Sequence, residues 1–188
     1  DGKPVIVHDP DLRRIAGDNR RIEQIPLREL RSVTLRHGST IPTLDEVTAC
    51  VPAPVTIDFE VKDARVLDLI IRKLRTSKGL RGRALISSFE KDVIERSMKE
   101  LPEVPRMLLL RRWPVRSGRF AAWISEHDSW IAQISTSLSQ SRMNWLKRQG
   151  VRLATWEPYG LRSNSRHAKR FEALGIDIAI VNQPQLYR

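Results

Sequence analysis

Hydrophobic and polar positions alternate along P-V-T-I-D-F-E-V-K, Pro54 to Lys62. Ile57, Phe59 and Val61 are apolar, and Asp58, Glu60 and Lys62 between them are charged. A period of two predicts a strand with one apolar face and one charged face. The nonapeptide alone suits two settings. One is a surface strand with its charges in water. The other is a barrel strand whose apolar face lies under helices while its charged row lines the barrel mouth.

Beyond this strand the period changes. Val66, Leu67, Ile70, Ile71 and Leu74 follow helical spacing, and Gly79 supplies a stop. Ala84 to Phe89 (A-L-I-S-S-F) reads as a strand, and Lys91 to Leu101 as a helix with Val93, Ile94 and Met98 on one face. Strands follow at Met107–Leu110, Trp130–Ile134, Val151–Trp156 and Ile176–Val181. Between them lie helical segments around Phe120–Ile124, over Ser141–Gln149 closed by Gly150, and over Ser165–Leu174 closed by Gly175.

Upstream, Pro4–His8 (P-V-I-V-H) predicts a short, fully buried strand, broken by Asp9-Pro10. Asp11–Arg36 is polar and arginine-rich, a long connection with a short helix near Leu27–Arg31. Thr43, with Glu46 three residues later, forms a capping-box pattern at a helix start.

Strand and helix thus alternate from about residue 54 onward, in repeats the size of a βα unit. The strands are buried apolar runs, as in a parallel sheet covered on both faces. The fold class is α/β, either a doubly wound open sheet or a (β/α)8 barrel. No glycine-rich phosphate loop follows any strand, which weakens the nucleotide-binding open sheet. Polar residues collect at strand C-termini: His8 and Asp9, Glu60 and Lys62, Ser87 and Ser88, Glu157, Asn182. In a barrel those ends share one mouth, where active sites sit.

Length and charge narrow the function classes. A chain of 188 residues with 40% hydrophobic content makes one domain with a real core. No apolar run reaches the roughly 18 to 20 residues of a membrane helix. The single Cys50 excludes an internal disulfide. The net charge of +11 comes from 33 Lys and Arg against 22 Asp and Glu, and it favours anionic substrates, an anionic membrane surface or nucleic acid. No zinc-finger spacing, RNP-type motif or basic heptad accompanies it, and the basic residues form no continuous stripe, so no nucleic-acid partner is expected. The compartment is left open, with the cytoplasm favoured.

A carboxylate and a lysine at alternate positions, with a histidine from a neighbouring strand, suit phosphoester chemistry. Glu60 is a hard oxygen ligand for Mg²⁺ or Ca²⁺, Lys62 a point charge for a phosphate oxygen, and His8 a proton carrier near neutral pH. His37, His127 and His167 read as surface residues.

Four collinear stretches carry a resemblance. They are D-G-K-P-V-I-V-H-D-P-D-L-R-R (Asp1 to Arg14), I-P-T-L-D-E-V (Ile41 to Val47), D-F-E-V-K (Asp58 to Lys62) and I-S-S-F (Ile86 to Phe89). Trp156 and the closing G-I-D-I-A-I-V-N-Q-P (Gly175 to Pro184) extend it over nearly the whole chain. The set resembles the glycerophosphodiester phosphodiesterase family. The resemblance implies a TIM barrel of the phospholipase-C-like phosphodiesterase type. It also implies metal-dependent hydrolysis of glycerophosphodiesters to glycerol 3-phosphate and an alcohol, within glycerophospholipid metabolism. Carried onto matching residues, it makes His8 a catalytic histidine, Glu60 a metal ligand, Lys62 a phosphate-binding residue and Trp156 a residue near the substrate. The cofactor would be Mg²⁺ or Ca²⁺. Residues 1–188 would be a partial barrel domain, with a small insertion at about 11–40.

The departures are specific. The family's first strands carry H-R-G and E-x-D, and both would precede Asp1. The family's W-T-V-N stands here as W-E-P-Y (Trp156 to Tyr159), and its T-D-x-P as V-N-Q-P (Val181 to Pro184). The expectation is a barrel lacking its first strands in this chain, with little activity by itself. The competing expectations are a non-catalytic barrel with a binding role and a basic nucleic-acid-binding domain.

Overall fold

The structure, a computed structural model, describes residues 1–36, 38–112, 117–134, 139–157 and 165–187. Two compact units make up the chain, Asp1–Ile57 and Asp58–Arg188.

The first unit has short helices α1 (Arg13–Ala16), α2 (Leu27–Leu30) and α3 (Leu44–Cys50). Leu12, Ile25, Leu30 and Ile41 form its buried centre, with Val5, Val7, Ile15 and Ile22 packed against it. These apolar positions are spaced singly through an arginine-rich stretch, so no run announces the small core they build together. At α3 the Thr43 side chain accepts the Glu46 N–H, and the Glu46 carboxylate accepts the Thr43 N–H, which completes the expected capping box. Pro4–His8 does not form the expected buried strand. Ile6 donates its N–H to the Pro42 carbonyl, Val5 bridges Thr43, and pairing ends there because α3 begins at the next residue. Ile6 is accordingly 44% exposed.

The strand β1 (Ile57–Glu60) begins at the last residue of the first unit, and the second unit, which holds the rest of it, continues α4 (Leu67–Thr76), α5 (Lys78–Arg81), β2 (Ala84–Ser88), α6 (Lys91–Glu100), β3 (Arg106–Leu110) and α7 (Ser117–His127). It ends β4 (Trp130–Ile134), α8 (Gln140–Arg148), β5 (Leu153–Trp156), α9 (Ser165–Leu174) and β6 (Ile178–Ile180). Gly150 and Gly175 take positive φ (74° and 62°) and close α8 and α9 as expected. Gly79 does not stop α4. The break comes at Ser77, whose hydroxyl accepts the Leu80 N–H and starts α5 around the glycine.

Sheet order separates the two architectures. Among the described residues six strands run β1-β2-β3-β4-β5-β6, and β2 to β6 pair in parallel. A doubly wound sheet reverses its order at a switch point; this one never does. Right-handed crossovers taken always in the same direction put every helix on one face. The two faces confirm it. Leu108, Ile131 and Leu153 pack with Ile94, Phe120, Ile124, Met143, Leu146 and Phe171 from α6, α7, α8 and α9. The opposite face, with Leu85, Met107, Leu109, Ala132 and Ala154, is also buried and apolar, yet strand residues alone form its centre. A face covered by no helix is buried by curling on itself. In a flat sheet β2 and β5 would stand three spacings apart, about 14 Å. The Phe89 and Trp156 rings, which follow β2 and end β5, instead meet with centroids 5.7 Å apart. The second unit is therefore a curled, barrel-type parallel sheet, a partial TIM barrel.

Candidate active site

The alternation at β1 does what the barrel setting requires. Phe59 and Val61 are buried, while Asp58, Glu60 and Lys62 stand on the open side of the strand. Lys62 Nζ lies 3.2 Å from Glu60 Oε1, so the two form an ion pair at the strand's C-terminal end. The residue between them is clamped from β2: Val61 donates its N–H to the Ser87 carbonyl at 2.7 Å, and the Ser88 hydroxyl donates to the Val61 carbonyl at 2.8 Å. The same hydroxyl accepts the Glu90 N–H. Ser88 is fully buried, so its hydroxyl locks the E-V-K backbone against β2 rather than lining the mouth.

Asp58 sits two residues deeper. It keeps contact with solvent, yet the protein packed around it raises its carboxyl to about 6, and the charge of Glu60 adds to the rise. The nearby Ser87 hydroxyl opposes that rise; it is buried, and its approach to Asp58 falls short of ordinary hydrogen-bond geometry.

An aromatic shelf lies on the same inner face. Leu85, Ser87 and Phe89 alternate inward along β2 by the period of two, and Met107, Leu109 and Arg111 along β3. Phe89 meets Trp156 edge to face, and the Arg111 guanidinium lies over the Phe89 ring at 4.5 Å. Trp156 thus stands at the strand ends, on the face that carries Glu60 and Lys62. Phe89 and Arg111 were not among the candidates drawn from the sequence. The signal was available, since both sit at inward positions just past strands whose boundaries were legible.

His8 lies in the first unit. Its Nδ1 is 2.6 Å from Asp9 Oδ1, and Arg14 Nε donates to Asp9 Oδ2 at 2.6 Å. The Arg14 and His8 contacts hold the Asp9 carboxyl down to about 2. An ionised Asp9 accepts from Nδ1–H and leaves Nε2 as the basic ring atom. The adjacent aspartate was grouped with His8 in the sequence but given no role there.

Two histidines read as surface residues are tied into the structure. His127 is largely buried, its Nδ1 on the Trp123 carbonyl and its ring stacked on Trp123 at 4.5 Å. His167, on α9, pairs through Nδ1 with Glu157 Oε1 at 3.1 Å. The Glu157 side chain has no exposure, and its second oxygen accepts the Asn182 N–H at 3.0 Å. Two substituted motifs therefore meet at the buried Glu157 carboxylate. His37 and the Pro158–Tyr159 part of W-E-P-Y lie outside the described residues.

Asp58 and Glu60 present hard carboxylate oxygens two residues apart, and their mutual repulsion is of the kind a divalent cation relieves. Donor chemistry fits Mg²⁺ or Ca²⁺. Donor number is small: no group of three or more His, Cys, Asp or Glu with ligating geometry occurs among the described residues.

Comparison with known proteins gives a consistent picture. The model of the glycerophosphoryl diester phosphodiesterase family matches residues 1–186. No curated protein matches the chain significantly. Among solved structures, a Galdieria sulphuraria protein named as a candidate glycerophosphodiester phosphodiesterase superposes with a TM-score of 0.82 at 17% identity, covering 98% of this chain and 78% of that one. An Oleispira antarctica phosphodiesterase, solved with the product sn-glycerol-3-phosphate, superposes with a TM-score of 0.77 at 19% identity over 99% and 78% of the two chains. A glycerophosphodiester phosphodiesterase from Parabacteroides distasonis gives 0.74 at 19% identity over 96% and 74%. At such identities the superpositions establish a shared fold.

Proposed function

The chain belongs to the glycerophosphoryl diester phosphodiesterase family, a family of phosphoric diester hydrolases, and from that premise we propose that it acts on glycerophosphodiesters, releasing glycerol 3-phosphate and an alcohol. One observation supports the reading above others. Glu60 and Lys62 form an adjacent pair, held by Ser88, on the same inner face as the Trp156–Phe89 shelf. Lys62 supplies a positive point charge for a non-bridging phosphate oxygen. Trp156 offers an apolar wall for the carbon skeleton of the glycerol. His8, whose Nδ1 is held by Asp9 within the first unit, is assigned the proton-carrying role by its match to the family's V-H-D histidine alone. Glu60, with Asp58 beside it, would hold the divalent cation, which supplies charge neutralisation on the phosphate oxygens when bound. Two carboxylates hold such an ion weakly, so turnover by the 188-residue chain alone is slow.

The test is ³¹P NMR of glycerophosphocholine with Mg²⁺ or Ca²⁺ over a long incubation. Slow release of sn-glycerol 3-phosphate is expected, lost in Glu60→Ala and Lys62→Ala. Release unchanged in Glu60→Ala would overturn the metal-dependent reading. Binding of sn-glycerol 3-phosphate with no turnover at any metal concentration would favour a barrel kept for binding. That second reading draws on Glu157, which replaces the threonine of W-T-V-N and is committed to bonds with His167 and Asn182. The net charge of +11 supports a further proposal, docking on an anionic membrane surface, read by salt-sensitive co-sedimentation with phosphatidylserine vesicles.

A further inference from the structure

Lys62, Phe89 and Arg111 end or follow three strands that are neighbours in the sheet, β1, β2 and β3. All three sit at inward positions by the period of two. By register Lys62 stands level with Phe89 and Leu109, so the bases of Lys62 and Arg111 are separated by two strand spacings across and two residues along, roughly 12 Å. The Arg111 guanidinium lies over Phe89 at 4.5 Å, and Phe89 in turn meets Trp156 at 5.7 Å. A guanidinium that lies flat on a ring keeps its N–H edge in the plane, the geometry that grips a phosphate or carboxylate with two bonds. The aromatic shelf would otherwise suit a quaternary ammonium, which binds ring faces. Here a fixed cation already covers the Phe89 face, so a second cation meets repulsion instead.

We infer that Arg111 is a specificity-determining residue, selecting glycerophosphodiesters whose alcohol carries a second anionic group over those with a cationic alcohol such as choline. The inference rests on the proposed function, with the phosphodiester at Glu60 and Lys62. The phosphodiester lies beside Lys62 and the alcohol extends across Phe89. The distal anion then meets the guanidinium edge two strands away. Residues of the chemistry itself are not involved, so Arg111 acts on affinity for the alcohol and leaves the reacting phosphate alone.

The test is binding, by isothermal titration calorimetry on the full chain, of four ligands: sn-glycerol 3-phosphate, glycerophosphoinositol, glycerophosphoinositol 4-phosphate and glycerophosphocholine. The wild type should bind the 4-phosphate about tenfold more tightly than glycerophosphoinositol, a typical effect of one charge-assisted bidentate contact, with choline weakest. Arg111→Ala should remove the preference for the 4-phosphate and tighten choline binding, while sn-glycerol 3-phosphate affinity stays within about twofold. Arg111→Lys, which keeps charge without the planar fork, should fall between. An Arg111→Ala protein that keeps the wild-type preference overturns the inference and leaves the proposed function standing. Failure of the wild type to bind sn-glycerol 3-phosphate overturns the proposed function, and this inference with it. Circular dichroism confirms that each variant is folded.

Discussion

Replacing Glu157 by alanine tests whether the substituted end of β5 is a structural joint. Its carboxylate takes the Asn182 N–H at 3.0 Å and faces His167 Nδ1 at 3.1 Å, with the side chain fully enclosed. A hydrogen bond to a charged group contributes about 1.5 to 3 kcal/mol, so two such bonds amount to roughly 3 to 6. Alanine also removes a buried charge, which relieves a desolvation cost of several kcal/mol and works the other way. The bonds lost and the cavity left outweigh that relief only modestly, giving a net loss of about 2 kcal/mol. For a chain of this length each kcal/mol lowers the melting temperature by roughly 2 to 4 °C, so Glu157→Ala should melt about 4 to 8 °C below the wild type. Glu157→Gln keeps a carbonyl oxygen for the Asn182 N–H and should lose about half as much. Thermal denaturation followed at 222 nm reads both variants, and hydrogen exchange should show faster opening of β5 and β6 amides in particular. A Glu157→Ala protein melting within a degree of the wild type would refute this reasoning, as would one in which exchange quickens elsewhere while β5 and β6 hold.

Three further predictions follow from local contacts. Ser88→Ala removes the hydroxyl on the Val61 carbonyl and should cost about 1 to 2 kcal/mol, with weaker binding of sn-glycerol 3-phosphate as Glu60 and Lys62 lose their backbone support; urea denaturation and calorimetry check the two effects. Thr43→Ala removes the side-chain half of the α3 capping box and should cost about 1 kcal/mol in the same assay, with Thr43→Ser near neutral. Asp9 has a folded-state carboxyl near 2, below its ordinary 3.8, because of Arg14 and His8. A depressed acid stabilises the fold fully above its unfolded value and loses that contribution as pH falls toward 2. Solvent screening limits it to roughly 1 kcal/mol. The stability gap between wild type and Asp9→Asn should therefore be constant from pH 5 to 7, shrink below about 4 and vanish near 2. A gap unchanged at pH 2 would sink the assignment.

The second unit was legible because its two periods are clean. Trp130–Ile134 and Ser165–Leu174 form where the pattern puts them, since each buries apolar residues at the spacing of its own element. The first unit was less legible for an equally physical reason. Leu12, Ile25, Leu30 and Ile41 meet in space but stand far apart in sequence, among arginines, and no local period records their meeting. Pro4–His8 looked like a buried strand because V-I-V is apolar, but strand formation needs a partner as well as a propensity, and α3 removes the partner after Val5 and Ile6. His167 misled for a related reason. Polar neighbours on a helix suggest solvent, and the carboxylate that draws it inward comes from β5, ten residues earlier.

The site divides along the same line. Glu60 and Lys62 were readable because one strand supplies both, two residues apart, and a period of two cannot separate them. Arg111 was not, because its role depends on Phe89 from the next strand, and its own neighbours Arg112 and Leu110 mark it only as one basic residue among many. Register supplies what sequence spacing lacks. Ser88 pairs with Leu108, Leu108 with Ile131 and Ile131 with Leu153, so pairing between strands, and not spacing along the chain, sets which residues of four strands stand side by side. Curling of the sheet then brings β2 and β5 together across the interior, which places Phe89 against Trp156. Chemistry that needs groups on one strand is therefore written locally. Discrimination between alcohols, which needs an aromatic from one strand and a cation from another, emerges only when the parallel order and the curl have set the strands side by side.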